Sequence, residues 1–181
     1  MKVIRNGILS LKHSVLTIGA FDGIHLGHQS LIAKTVNRAR ELDVPSVVYT
    51  FDPPPRVYFQ KQMLLTTVQE KLVFLRKLGV DYTVIANFDT YFLSKSAAEF
   101  IEELKSLAPD EIWIGPDFQF GKGKTGSIKD LSEQFNTYTF PVVKCSRGEI
   151  ISSTRIRKLL GNQQQQLAHE LLGRNRLQKI H

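Results

Sequence analysis

The chain has one cysteine, Cys145, in 181 residues. A lone thiol closes no disulfide within the chain and leaves no cysteine pair for a metal site. Long apolar runs are also missing. None approaches the eighteen or so residues of a membrane-crossing helix, so no membrane partner is expected. Residues 1–7 carry charge without a following apolar block or a small-residue cleavage site, which does not read as a signal peptide. The expected compartment is therefore the cytoplasm. There is no internal repeat and no linker, and the run Gln163 to Gln166 is only one helical turn long. Residues 1–181 read as a single domain.

Apolar residues make up 42% and charged residues 23%, an ordinary globular balance rather than a disordered one. Twenty-four Lys and Arg against seventeen Asp and Glu leave a net charge of +7, which points to an anionic partner. The basic clusters, Lys122/Lys124 and Arg155/Arg157/Lys158, sit beside glycines or hydroxyl residues. That company suits bound phosphates better than a duplex footprint, so nucleic acid is not the expected partner.

Strand-like and helix-like segments alternate. Val15 to Ile18 reads as a buried strand, and apolar spacing at Leu31, Ile32, Val36 and Ala39 predicts a helix over 27–42. Ser46 to Phe51 is a second strand, stopped by Pro53-Pro54-Pro55. Thr66-Thr67 caps a helix with Val68, Leu72, Leu75 and Leu78 on its apolar face, ending at Gly79. Tyr82 to Ala86 is a strand, Ser96 opens a helix, and Glu111 to Ile114 is a strand again. Residues 117–136 read as a loop, Tyr138 to Lys144 as a strand, and two helices follow from Ser153 and Gln163. This alternation predicts a Rossmann-like, doubly wound α/β domain with a mostly parallel sheet. Ligands of such sheets bind beyond the carboxyl ends of the strands. Attention falls on the segments after Ile18, Phe51, Ala86 and Ile114.

After the first of these strands comes Gly19-Ala20-Phe21-Asp22-Gly23-Ile24-His25-Leu26-Gly27-His28. Glycines here let backbone approach a ligand, and a helix start offers N–H groups and partial positive charge. His25 and His28, flanking Gly27, are spaced to face one phosphoryl group. The alternative is that one imidazole caps the helix while the other faces solvent.

This stretch resembles the signature of prokaryotic FAD synthetases, the FMN adenylyltransferase module of bifunctional riboflavin kinase/FAD synthetases. Its His-x-Gly-His core belongs to the wider nucleotidyltransferase superfamily and also fits cytidylyltransferases, pantetheine-phosphate adenylyltransferase and NMN adenylyltransferases. Three further stretches resemble the narrower family in the same order: Phe51-Asp52-Pro53-Pro54-Pro55, Gly115-Pro116-Asp117-Phe118-Gln119-Phe120-Gly121, and Ile151-Ser152-Ser153-Thr154-Arg155-Ile156-Arg157. Leu64 to Thr67 and Leu171 to Arg174 fit its weaker patterns. Three positions depart from the family. Pro54 stands where histidine is common, and Lys122 and Lys124 where arginine is, which keeps the charge but loses the planar two-pronged donor.

The resemblance implies transfer of AMP from ATP to FMN, giving FAD and pyrophosphate, with Mg2+ arriving with ATP. It implies catalytic roles for His25, His28, Ser153, Thr154 and Arg157. ATP would lie against Gly19, Ala20, Phe21, Gly27, His28, Ser152, Ser153, Thr154 and Arg157. FMN would lie against Phe51, Pro53, Pro54, Pro55, Asp117, Phe118 and Phe120. Each phenylalanine has a plainer reading as core, and the hydroxyls have one as helix caps. Arg157 in the first turn of a helix opposes the helix dipole, and bound polyphosphate would offset that. No riboflavin kinase module is expected within these residues. The alternatives are a transferase for another phosphorylated acceptor and a flavin- or nucleotide-binding regulatory paralogue without turnover.

Overall fold

The computed structural model describes residues 1–5 and 9–174. Its elements run β1 (Lys2–Arg5), β2 (Ser14–Ile18), α1 (Leu26–Glu41), β3 (Ser46–Asp52), α2 (Pro55–Gln60), α3 (Val68–Lys77) and β4 (Tyr82–Asn87). They continue with α4 (Thr90–Ser94), α5 (Ala97–Lys105), β5 (Pro109–Ile114), α6 (Ile128–Ser132), β6 (Thr137–Thr139), α7 (Ser153–Gly161) and α8 (Gln165–Leu171). Six strands form one sheet in the order β1-β4-β3-β2-β5-β6, and every pair is parallel.

Period-two alternation divides the strand residues between two faces. Leu16, Ile18, Val47, Tyr49, Val84 and Ile112 join Phe100 and Leu104 of α5 and Leu131 of α6 in one core. Val48 instead meets Leu31, Ile32 and Val36 of α1 and Leu75 of α3. Each fully buried aliphatic chain contributes about 1.5–3 kcal/mol relative to exposure. From β2 the chain winds outward through β3 and β4, then crosses to β5 on the other flank of β2. The carboxyl ends of β2 and β5 thus form the switch-point crevice where such sheets bind ligands.

Local signals explain the boundaries. Thr67 and Glu70 make a reciprocal capping box at the start of α3, as do Ser96 and Glu99 at α5. Several expectations need correction. Pro55 occupies the first turn of α2, where its missing N–H is harmless, so the proline run opens a short helix as well as ending β3. Within the expected loop at 117–136, Ser127 and Asp130 box the start of α6. The last strand is only Thr137–Thr139. In α3 the fully buried side chains are Lys71 and Leu75, so the apolar face is centred on a lysine.

Candidate active site

Strand β2 delivers Gly19 to Gly23 into the crevice through a strained turn. Phe21 and Ile24 lie in the left-handed region at φ 46° and 38°, either side of Gly23 at φ 89°. Such backbone costs of order 1–3 kcal/mol per non-glycine residue and persists where surrounding structure enforces it. The enforcement is visible. Phe21 and Ile24 are buried, and a Cβ on Gly19 would lie 2.9 Å from Cζ of the Phe21 ring.

The turn delivers two stacked imidazoles. The His25 and His28 rings lie 3.6 Å apart at 17°, with the Phe21 ring edge-on to His28 at 5.3 Å. His25 is the N-cap of α1, its Nδ1 accepting from the His28 amide at 3.3 Å. The capping alternative is therefore realised for His25, and it fixes chemistry too. In the neutral ring the proton must then sit on Nε2. Burial pushes the His25 pKa down to about 4, partly opposed by a hydrogen bond to the residue's own backbone. His28 is held well below its ordinary value by burial, then by the charges of His25 and Lys71. Both rings are neutral near pH 7. The His28 Nδ1 is enclosed and has no hydrogen-bond partner among the described residues. Gly27 is required at this point, since a Cβ there would press to 3.2 Å on the His25 ring, and Ile151 O lies close by.

That proximity brings in the start of α7. Ser152 caps the helix by accepting from Arg155 N at 3.2 Å. Ser153 Oγ donates to Asp22 O at 2.8 Å. Arg157 pairs with the Asp22 carboxylate, and its Nε donates to Met63 O at 2.8 Å. The expected first-turn placement needs correction: Arg157 is the fifth residue of α7, past its first turn, and Asp22 balances its charge. Arg157 Nη1 is enclosed without a partner among the described residues. The two weaker sequence patterns also meet, Arg174 donating to Thr66 Oγ1 at 3.1 Å.

The residues expected against FMN divide. A cavity of about 740 Å³ is lined by Phe51, Pro55, Phe118 and Phe120, together with Phe59, Phe88 and Phe92. Phe51 and Phe92 meet edge-to-face at 5.4 Å, Phe88 and Phe92 are tilted at 5.6 Å, and Phe118 stacks on Phe120 at 5.8 Å. Phe51 and Phe120 are nearly buried, so the core reading and the lining reading hold together. Pro53, Pro54 and the exposed Asp117 are not among the lining residues; Lys124 is, and Lys122 is not. Arg56 and Thr154 both line the cavity, and the Arg56 guanidinium donates to Thr154 Oγ1. A second cavity, of about 840 Å³, lies along β4 and α5. Its lining carries Asp89, Glu99, Glu102 and Glu103, a charge set that repels phosphates.

Sequence reading missed Asp22, Arg56, Lys71 and the additional phenylalanines. Lys71 was legible in principle, because it lies four residues before Leu75 on the same helical stripe. Arg56 and Asp22 acquire partners 98 and 135 residues away, which local pattern does not encode.

Among the described residues no helix is long and apolar enough to cross a membrane, and no group of three or more His, Cys, Asp or Glu gathers to hold a metal. Residues 8–155 match the family model described as FAD synthetase. A Geobacillus thermodenitrificans protein named "Putative bifunctional riboflavin kinase/FMN adenylyltransferase" is 44% identical over 91% of this chain and 92% of its own length. The bifunctional riboflavin kinase/FMN adenylyltransferases of Escherichia coli K12 and Haemophilus influenzae are each 36% identical. This chain spans only 59% and 56% of their respective lengths, and they match 96% and 91% of it. The crystal structure of a Streptococcus pneumoniae chain described as a macrolide-efflux protein superposes with a TM-score of 0.84 at 29% identity, covering 96% of this chain and 71% of that one. With the family model matching most of its length and relatives of this similarity, the chain belongs to the FAD synthetase family.

Proposed function

We propose that this chain transfers the adenylyl group of ATP to FMN, forming FAD and releasing pyrophosphate. The observation that carries this reading is Arg56. It lines the aromatic cavity and reaches Thr154 at the start of α7, so a flavin wall and a phosphate-binding helix start share one side chain. Family membership and the names of the relatives support the same reading.

In the proposed reaction an oxygen of the FMN phosphate attacks the α-phosphorus of ATP. The bond from that phosphorus to the bridging oxygen breaks, and pyrophosphate departs. Such a transfer asks the protein mainly for positioning and charge stabilisation. Neutral His25 would donate from Nε2 to the α-phosphoryl oxygens, and the stacked His28 would donate to the charge that develops there. Backbone at Gly19, Ala20, Phe21 and Gly27 would line the nucleotide. The first-turn amides of α7, at Ser153 and Thr154, lack intrahelical acceptors and would take the outer phosphates. Ser152 and Ser153 would act there by shaping that turn, and Arg157 would offer the phosphates its Nη1, which has no partner among the described residues. Phe51, Pro55, Phe118 and Phe120 would hold the isoalloxazine ring, with Pro53, Pro54 and Asp117 stiffening the loops around it.

Magnesium would enter with the triphosphate, an ion that keeps several waters and needs one or two carboxylates at most. We assign the reaction to one adenylyltransferase domain in the cytoplasm, with no nucleic-acid or membrane partner. The test is direct. Protein mixed with FMN, ATP and magnesium should form FAD and pyrophosphate in equal amounts. No FAD from FMN, or faster product with phosphopantetheine, NMN or glycerol phosphate, rejects the assignment. Riboflavin in place of FMN serves as the control.

A further inference from the structure

Lys71 is among the largest fully buried side chains, at 2% exposure. Its ammonium reaches out of α3 into the base of the crevice. There it donates to Ala20 O at 2.7 Å and to Thr50 Oγ1 at 3.0 Å, and lies 3.5 Å from Phe51 O. Thr50 Oγ1 donates in turn to Ala20 O at 3.1 Å. Ala20 belongs to the turn after β2, which carries the imidazole pair. Thr50 and Phe51 end β3, where the aromatic cavity begins. One amine therefore joins the two walls between which a nucleotide and a flavin would meet.

Its surroundings are unusual for a lysine. Among the described residues no carboxylate forms an ion pair with it; its partners are neutral dipoles. Asp22 and Asp52 act on it only through space, and each has its own cation, Arg157 and Arg5 respectively. On α1 the titratable group it influences is His28, and the carboxylate of its α3 neighbour Glu70 accepts from Thr67 at the helix cap. Burying an ammonium without a contacting counter-charge is costly. A neutral side chain would tie two backbone carbonyls together at lower cost, so the charge itself has a use.

We propose that Lys71 is a positioning residue for adenylyl transfer, clamping the nucleotide-side turn to the flavin-side strand end and keeping a positive charge at the base of the cleft. This rests on the adenylyltransferase reading above. The charge favours uncharged imidazoles above it, leaving them as donors without a competing cation at the α-phosphate. Burial lowers the Lys71 pKa to about 8, with Asp22 and Asp52 pulling it back up. The ammonium is therefore present near neutrality and lost as pH rises through about 8.

The test uses wild type, Lys71→Arg and Lys71→Met. Wild-type kcat should fall above about pH 8. Lys71→Arg, protonated throughout that range, should abolish that fall. Below about pH 8, Lys71→Met should lower kcat about 10²-fold, the scale of a misplaced substrate wall, with a smaller change in KM for FMN, and the gap should narrow as wild type loses its ammonium. In substrate-free protein the His28 ring of Lys71→Met, followed by NMR, should titrate at higher pH than in wild type. Wild-type kcat in Lys71→Met, an unchanged alkaline fall in Lys71→Arg, or an unmoved His28 titration overturns the proposal. If Lys71→Met does not fold, the wild-type and Lys71→Arg pH profiles decide. The His28 titration needs no turnover. Failure of wild type to make FAD would therefore reject the function without touching the electrostatic link.

Discussion

Asp22 and Arg157, 135 residues apart in sequence, form a buried ion pair at the join between the first strand's turn and the start of α7. The same carboxylate accepts from Leu65 N and Thr66 N, both at 3.1 Å, and the Asp22 carbonyl accepts from Ser153. Three chain segments thus meet on one residue. Burial lifts the Asp22 pKa, opposed by Arg157, the two amides and Lys71. Removing one partner strands the other charge, so Asp22→Asn and Arg157→Met should each cost about 3–5 kcal/mol in urea unfolding. The double variant should lose less than the sum. Additive losses would show that the pair is not coupled.

His28→Ala should cut the rate of FAD formation about 10²–10³-fold, the scale of losing a transition-state donor. FMN binding, read from flavin fluorescence, should stay nearly unchanged. Turnover like that of wild type would remove this imidazole from the chemistry.

Acid should weaken the fold through His25. Its folded pKa, about 4, lies below the unfolded value of 6.5. Below about pH 6.5 the unfolded chain therefore takes up a proton that the folded chain refuses. Stability is full above that pH, declines as pH falls towards 4, and levels off beyond, by about 3 kcal/mol in all. His25→Asn keeps a capping acceptor and cannot titrate, so its stability should vary less between pH 7 and pH 4. An equal slope in both proteins would assign the acid sensitivity elsewhere.

Gly19→Ala drives a methyl into the Phe21 ring. We expect a loss of about 1–3 kcal/mol, typical of overpacking. Because Phe21 supports His28, KM for ATP should rise while FMN affinity holds. A loss confined to FMN affinity would contradict the assignment of the two walls.

Phe59 lines the aromatic cavity while 61% exposed. Phe59→Ala should weaken FMN binding by up to about tenfold, the worth of one good aromatic contact. Thermal stability should barely change. Phe51→Ala, from a nearly buried ring, should instead cost about 3–5 kcal/mol of stability.

The sequence by itself determined the alternation of strands and helices, the helix starts at Thr66-Thr67 and Ser96, and the turn carrying His25 and His28. Each is a local matter of side-chain period, hydroxyl caps and glycine permissiveness, readable within a few residues. It did not reveal that Lys71 rather than a neighbouring leucine would occupy the buried centre of α3. Periodicity marks a stripe but not the polar atoms waiting opposite it. Nor could it show that Asp22 and Thr154 would find their partners in Arg157 and Arg56. Those contacts exist only once the sheet brings the ends of β2 and β3 and the start of α7 to one crevice, because charge pairing at hydrogen-bond distance is decided by tertiary geometry rather than by spacing along the chain.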